Sequence, residues 1–244
     1  MPSINPQRMN SRPTAVPAYT GFRVFALILA LLLACQAFWI LAAEFSRPPS
    51  LSFPTSSQAV ANAAANRGAA RAAARLAILR GDLWAEAALT YSDVFSFEGT
   101  AKSGNDDPAT VQQARDVAER ALSLAPHDAR IWLVLADIAA RFDWLNGKAS
   151  AALRMSYYTG QNEIALIPSR LLLAVTLPAI SDRDFQEFVA HDIRTIVNRK
   201  PELKPAILKA YRYATPEGQK FIRDTVKGLD PNLLSNLQQN RSDG

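Results

Sequence analysis

The sequence predicts an all-α protein with one N-terminal transmembrane helix followed by a domain of short antiparallel helix pairs. Three observations predict this. Val24 to Ala43 reads VFALILALLLACQAFWILAA, uncharged and with Gln36 as its one strongly polar residue. That length is what an α-helix needs to cross about 30 Å of hydrocarbon. Beyond it, capping residues and prolines recur at helix-length intervals, and almost no stretch shows the period-two alternation of a strand.

The span is apolar all round, so it offers water no face. Phe38 and Trp39 lie near one end, where amphipathic rings favour the headgroups. Arg8, Arg12 and Arg23 precede it, and Glu44 and Arg47 follow closely. This asymmetry predicts a cytoplasmic N-terminus with the rest outside, the topology of a single-pass bacterial inner-membrane protein with a periplasmic domain. Two other readings compete. A cleaved signal peptide has a shorter apolar region ending in small residues, whereas Leu41 holds the −3 position before Ala43. Leu32-Leu33-Ala34-Cys35 resembles a lipobox, but the residues after Cys35 stay mostly apolar. Cys35 reads as a small apolar residue inside the span.

Five segments follow from composition: a disordered cytoplasmic tail over 1–21, the transmembrane helix over 22–44, a Pro-rich spacer over 45–55, the helical domain over 56–237 and a flexible tail over 238–244. Pro48, Pro49 and Pro54 bias the spacer towards an extended form about 20 Å long, at about 3 Å per residue. The one cysteine lies inside the span, so no intramolecular disulfide is available. The net charge of +5 is too diffuse for a nucleic-acid face, so no nucleic acid is expected.

Within the domain, Ser56 or Ser57 caps a first helix running to about Arg80, and Gly81-Asp82 reads as a tight turn. A second helix runs from Leu83 to about Phe97, followed by a polar loop over Glu98–Asp107. Asp107-Pro108 starts a third helix, because Asp caps and Pro has no N–H to waste. Asp128 caps a fourth, Ala129 to about Arg141, and a fifth runs to about Tyr158. Asn162 caps a sixth, which Pro168 should kink or break. Ser181 with Asp184 opens a seventh as a capping-box variant. Pro201 opens an eighth, and Thr215-Pro216 a ninth that ends at Gly228. Asp230-Pro231 starts one last short turn. Short helices joined by tight turns bury their faces only against neighbours, the logic of an α-solenoid.

Ala114, Ala118, Ala121 and Pro126 resemble the second helix of a tetratricopeptide repeat with its terminal proline. Trp132, Leu135, Ala136 and Ala139 resemble the first helix of the next repeat, with Ala136 where the family has Gly and Ala139 where it has Tyr. Arg80-Gly81-Asp82-Leu83 resembles the turn of an earlier, degenerate unit. The resemblance covers roughly Gln112 to Tyr158 and fades after Asn162. It implies a tetratricopeptide-like platform that binds proteins.

Nothing in the sequence spells out a reaction. His127 lies in a turn, and His191-Asp192 point about 100° apart on a helix. No metal site, cofactor or phosphate loop is expected, and Glu86, Asp93, Asp182 and Asp184 read as helix-face or helix-start charges. The chain therefore reads as non-enzymatic. Candidate partner-binding residues are Arg67, Arg71 and Arg75, a cationic stripe at every fourth position, and Arg154, Tyr157 and Tyr158, residue types that anchor interfaces. Lys200 to Tyr213 is a third, basic and aromatic stretch. The expected partners are proteins in the membrane or periplasm, lipid through Val24–Ala43, and a second copy of the chain through Ala26, Ala30 and Ala34. The expected function is a membrane-tethered scaffold at the cell envelope. Analogy with membrane-anchored repeat proteins suggests surface-polysaccharide synthesis or export as its setting. A self-associating structural protein and an accessory subunit of an envelope enzyme are the alternatives.

Overall fold

The computed structural model describes residues 18–49, 53, 54, 56–94, 107–143 and 147–239. They form helices, and no strand occurs among them. The chain divides into two units, Met1–Ala42 and Ala43–Gly244.

The described part of the first unit belongs to α1, Ala18–Phe45, whose 28 residues exceed what a bilayer requires. The helix starts earlier than the sequence suggested, because Ala18 to Gly21 are helical; residues 1–17 lie outside the described residues. Its apolar side chains, including Phe22, Leu27, Leu31 and Phe38, are exposed. Length, composition and exposure together fit a helix that crosses a membrane, and equally a signal sequence.

In the second unit, capping residues place most helix starts as read. Ser56 Oγ accepts from Ala59 N at the head of α2 (Ser57–Ala65). Asp107 accepts from Ala109 and Thr110 at α5 (Pro108–Leu124). Asp128 accepts from Arg130 at α6 (Ala129–Phe142), and Thr215 from Gly218 at α11 (Pro216–Lys227). Such caps satisfy backbone donors that a helix leaves open.

Other boundaries differ. The first domain helix is two: α2 stops at Ala65, and α3 runs Arg67–Leu76. The Asn66 side-chain amide donates to the Asn62 carbonyl at 2.8 Å, competing with the helix ladder. Gly81-Asp82 is not a turn but the first turn of α4, Gly81–Leu89; the connection is Ala77–Arg80. Helix α4 stops at Leu89, where Thr90 Oγ1 takes the Ala87 carbonyl at 2.6 Å, and residues 95–106 lie outside the described residues. After α7 (Lys148–Thr159), a 3₁₀ turn at Ile164–Leu166 leads into α8, Ile167–Ala174. Pro168 therefore sits at the start of α8, where its missing N–H costs nothing, and kinks no helix interior. Asp182, not Ser181, caps α9 (Arg183–Arg199). Pro201–Leu203 is a 3₁₀ turn ahead of α10, Lys204–Tyr213. The last turn is a nine-residue helix, α12 (Pro231–Gln239). Its first N–H groups at Asn232 and Leu233 donate to Asp230. Residues 240–244 lie outside the described residues.

The proline-rich spacer is not free-standing where it is described. Pro48, Phe53 and Pro54 are buried. Arg47 forks onto Glu86 of α4, with Nε 2.9 Å from Oε2 and NH2 bonded to Oε1. This tie, between segments 39 residues apart, was not legible as a contact in the sequence. Residues 50–52 and 55 lie outside the described residues.

The core runs through α3 to α12 and takes in Ala43 and Phe53. Helices α3 to α7 pack on their sequence neighbours, and α4 also meets α6. Beyond α7 the order changes, because α8 packs on both α9 and α10, and α9 on α11. Small residues make the close approaches. Ala85, Ala87 and Ala88 of α4, and Ala114, Ala118 and Ala121 of α5, are buried.

Four helix ends share one geometry. Ala77, Ala125, Gly160 and Lys200 have φ between −146° and −105° and ψ between 49° and 71°. Each accepts a hydrogen bond from the N–H three residues on, from Arg80, Asp128, Glu163 and Leu203 at 2.9–3.1 Å. Two of these turns lie against a neighbour. A β-carbon on Gly81 would sit 2.8 Å from Ala125 Cβ, and one on Gly160 would collide with Ala129 Cβ. Glycine is needed at both places for room.

Candidate partner-binding surface

The arginine stripe on α3 is not uniformly available. Arg67 is spent inside the domain. Its guanidinium pairs with Asp93, donates to the Thr90 carbonyl at 3.0 and 3.3 Å, and lies 4.3 Å from the Tyr91 ring centroid. Arg71 donates to Gln113 Oε1 of α5 at 3.2 Å. Arg75, in the last turn of α3, is exposed. The i, i+4 spacing put the three on one face, but what lay opposite depended on α4 and α5.

The Arg154–Tyr158 group also divides. Tyr157 is buried and has no surface to offer a partner, which corrects its place among the binding candidates. It stacks on Phe188 (centroids 5.6 Å apart), meets Phe185 edge-on at 5.7 Å and lies under Arg170 at 5.1 Å. Arg154 donates to Asp182 Oδ2 at 2.6 Å and covers the Phe185 ring. Tyr158 is 63% exposed, touching Phe188 edge-on at 5.2 Å.

A groove of about 400 Å³ is lined by Trp132, Leu135, Met155 and small alanines. Arg115, Glu119, Asp143 and Lys148 also line it, with Arg115 and Asp143 paired at 2.6 Å. Ala151, Met155 and Tyr158 follow the i, i+4, i+7 spacing of one exposed face of α7, so two groove-lining residues and the exposed ring share a stripe. The Trp132 indole donates to the Pro126 carbonyl at 2.8 Å, which holds the ring in place. Apolar and aromatic lining residues accompanied by charged ones match the composition of a protein contact.

The third stretch is partly consumed, while Arg212 and Tyr213 stay exposed. Lys204 pairs with Asp230 at 2.8 Å, and the buried Tyr211 hydroxyl accepts from Arg223 at 2.8 Å. Tyr213 is exposed and borders a second cavity of about 290 Å³ with Asp137, Arg141, Leu172 and Thr176.

Four buried ionic residues escaped the sequence reading as structural groups: Glu86, Asp137, Arg170 and Asp192. The available signal was a charge within an apolar helix face, as in Leu-Ala-Asp137-Ile-Ala. Arg170 is fully enclosed and donates to Ser156 Oγ, the Ser156 carbonyl and the Gly160 carbonyl. It thereby fastens α8 to the end of α7. Burial pushes Asp137 up to about 6 against the opposing pull of Arg141. Burial likewise pushes Asp192 up to about 7, against Arg170 and Tyr157, and lowers Arg170 itself. The Tyr157 hydroxyl and Asp192 Oδ2 interact electrostatically, yet neither makes a hydrogen bond of ordinary geometry.

His127 is exposed, and His191 borders a cavity with Asn162, Thr195 and Arg199. Among the described residues no three His, Cys, Asp or Glu side chains come together as a metal-binding group.

No family model matches the chain, and no curated protein or solved structure matches it at a significant level. Its own geometry is therefore the basis for a functional reading.

Proposed function

We propose that this protein is a non-enzymatic, membrane-tethered scaffold that binds a protein partner at the bacterial cell envelope. In this reading α1 spans the inner membrane with its N-terminus in the cytoplasm, and the helical domain is periplasmic. The domain is a short stack of antiparallel helix pairs of tetratricopeptide type. The four alike turns at Ala77, Ala125, Gly160 and Lys200 support the stack, as does the sequence resemblance over Gln112 to Tyr158. The helices after α8, which pack out of sequence order, close its end.

The observation that carries the binding reading is the groove of Trp132, Leu135 and Met155, with the exposed Tyr158 on the same face of α7 as Met155 by helical spacing. Aromatic and Met side chains are enriched in interface cores, and charges belong at the rim. A photoreactive residue at position 158 of the full chain, activated in native membranes and read by mass spectrometry, tests it. Capture of a defined protein, lost when Met155 is replaced by Glu, is the expected result. Crosslinks confined to lipid or to a second copy would overturn the scaffold reading, and the second-copy result would favour self-association.

A further inference from the structure

The turn between α3 and α4 displays two adjacent aliphatic side chains, Ile78 (54% exposed) and Leu79 (81%). A lone exposed leucine needs no explanation, but this pair is held in a fixed place. The Trp84 indole donates to the Ile78 carbonyl at 3.2 Å, and Arg80 N closes the turn onto the Ala77 carbonyl at 2.9 Å. Arg80 then forks, with NH1 on Glu44 at 2.7 Å and Nε and NH2 on Asp82 at 3.2 and 2.6 Å. Arg47 grips Glu44 as well, at 2.9 Å.

Glu44 is the first charged residue after the uncharged run Val24–Ala43. On the reading of that run as a span, Glu44 marks where hydrocarbon gives way to headgroups. Its ion pair fixes Arg80 at that depth, and Ile78 and Leu79 follow within two residues, about 8 Å of chain. Phe45, beside Glu44, is 84% exposed. Arg75, exposed in the last turn of α3, lies three residues ahead of Ile78, in reach of lipid phosphates. Apolar tips flanked by arginine suit the interface of an anionic bilayer.

We propose that the Ala77–Arg80 turn is a membrane-seating element: Ile78 and Leu79 enter the headgroup region of the bilayer, and the Arg80–Glu44 pair sets their depth. This rests on the single-span reading above and adds a lipid-binding surface to the domain itself.

The test uses the full chain with Cys35→Ser and one new thiol, Leu79→Cys, Tyr158→Cys or Ala30→Cys. Each thiol carries an environment-sensitive fluorophore. The vesicles contain equal parts phosphatidylcholine and phosphatidylglycerol, brominated either near the headgroup or near the chain end. At position 79 the expected result is blue-shifted emission, quenched by the shallow bromine. Position 158 should behave as in water, and position 30 should be quenched by the deep bromine. Water-like emission at 79 with quenching at 30 would overturn the seating proposal and leave the span intact. Loss of quenching at 30 would overturn the span itself and, with it, this inference. Replacing Arg80 with Ala should reduce the quenching at 79; unchanged quenching would remove the Arg80–Glu44 pair from the account.

Discussion

Trp84 and Trp132, 48 residues apart, make the same hydrogen bond: each indole N–H donates to the carbonyl six residues earlier, Ile78 at 3.2 Å and Pro126 at 2.8 Å. Each ring thus bridges its own helix to the turn before it. Replacing Trp132 with Phe keeps most of the apolar area and removes the donor. The expected cost is about 1 kcal/mol, the usual net worth of such a bond. Urea unfolding of the full chain in detergent measures it.

Gly160 faces Ala129 with no room for a β-carbon. Gly160→Ala should destabilise the domain by about 1–3 kcal/mol through overpacking, and adding Ala129→Gly should restore part of the loss. Gly68, in α3, has nothing within 4 Å, so Gly68→Ala should be neutral or stabilising by up to about 1 kcal/mol. Equal losses at both glycines in thermal unfolding would remove the close-approach argument.

Asp192 ties stability to pH. A carboxyl that holds its proton more tightly when folded makes stability fall as pH rises from the unfolded value, 3.8, through the folded value, about 7. Asp137 acts in the same direction up to about 6. Asp192→Asn mimics the protonated form. It should leave stability nearly unchanged at about pH 4 and raise it by a few kcal/mol at about pH 8. Melting curves across that range check the slope, and an unaltered profile would exclude Asp192 as its source.

The Tyr157 hydroxyl is buried beside the Asp192 carboxyl and makes no hydrogen bond of ordinary geometry. Tyr157→Phe removes a desolvated polar atom and keeps the stack on Phe188, so stability should be unchanged or higher by about 1 kcal/mol. Partner capture from position 158 should survive the substitution. A clear loss of stability would show that the hydroxyl is bonded after all.

Arg47 neutralises Glu86, which is buried in α4. Arg47→Ala leaves that carboxylate enclosed and unpaired, an expected loss of about 3–5 kcal/mol. Glu86→Gln in the same chain should recover much of it. Hydrogen exchange in residues 43–49 should rise in the single variant, because Arg47, together with the Arg80–Glu44 pair, fastens this segment to the domain.

Elements announced by local chemistry were legible. The α1 run, the caps at Ser56, Asp107, Asp128 and Thr215, and the proline starts at 108 and 216 depend on residues within one helical turn. The misreadings share another cause. Asn66 broke a helix that its alanine-rich neighbours favoured, because a side-chain amide found a backbone carbonyl. Gly81 resembled a turn residue but was small to admit Ala125, just beyond α5. Tyr157 resembled an interface anchor until α8 and α9 covered it with Arg170, Phe185 and Phe188. In the candidate surface, spacing identified the α3 face but could not show that Asp93 and Thr90 occupy Arg67.

The sequence by itself determined an all-helical chain with one apolar run long enough to cross a bilayer, because hydropathy and capping act over a few residues. Only the tertiary structure decided which charges are enclosed, which aromatics remain exposed and where the segment after α1 is fastened. Arg47 with Glu86, Arg80 with Glu44 and Arg170 with Ser156 join residues 14 to 39 positions apart. Their meeting depends on how helices pack, and no local pattern encodes it.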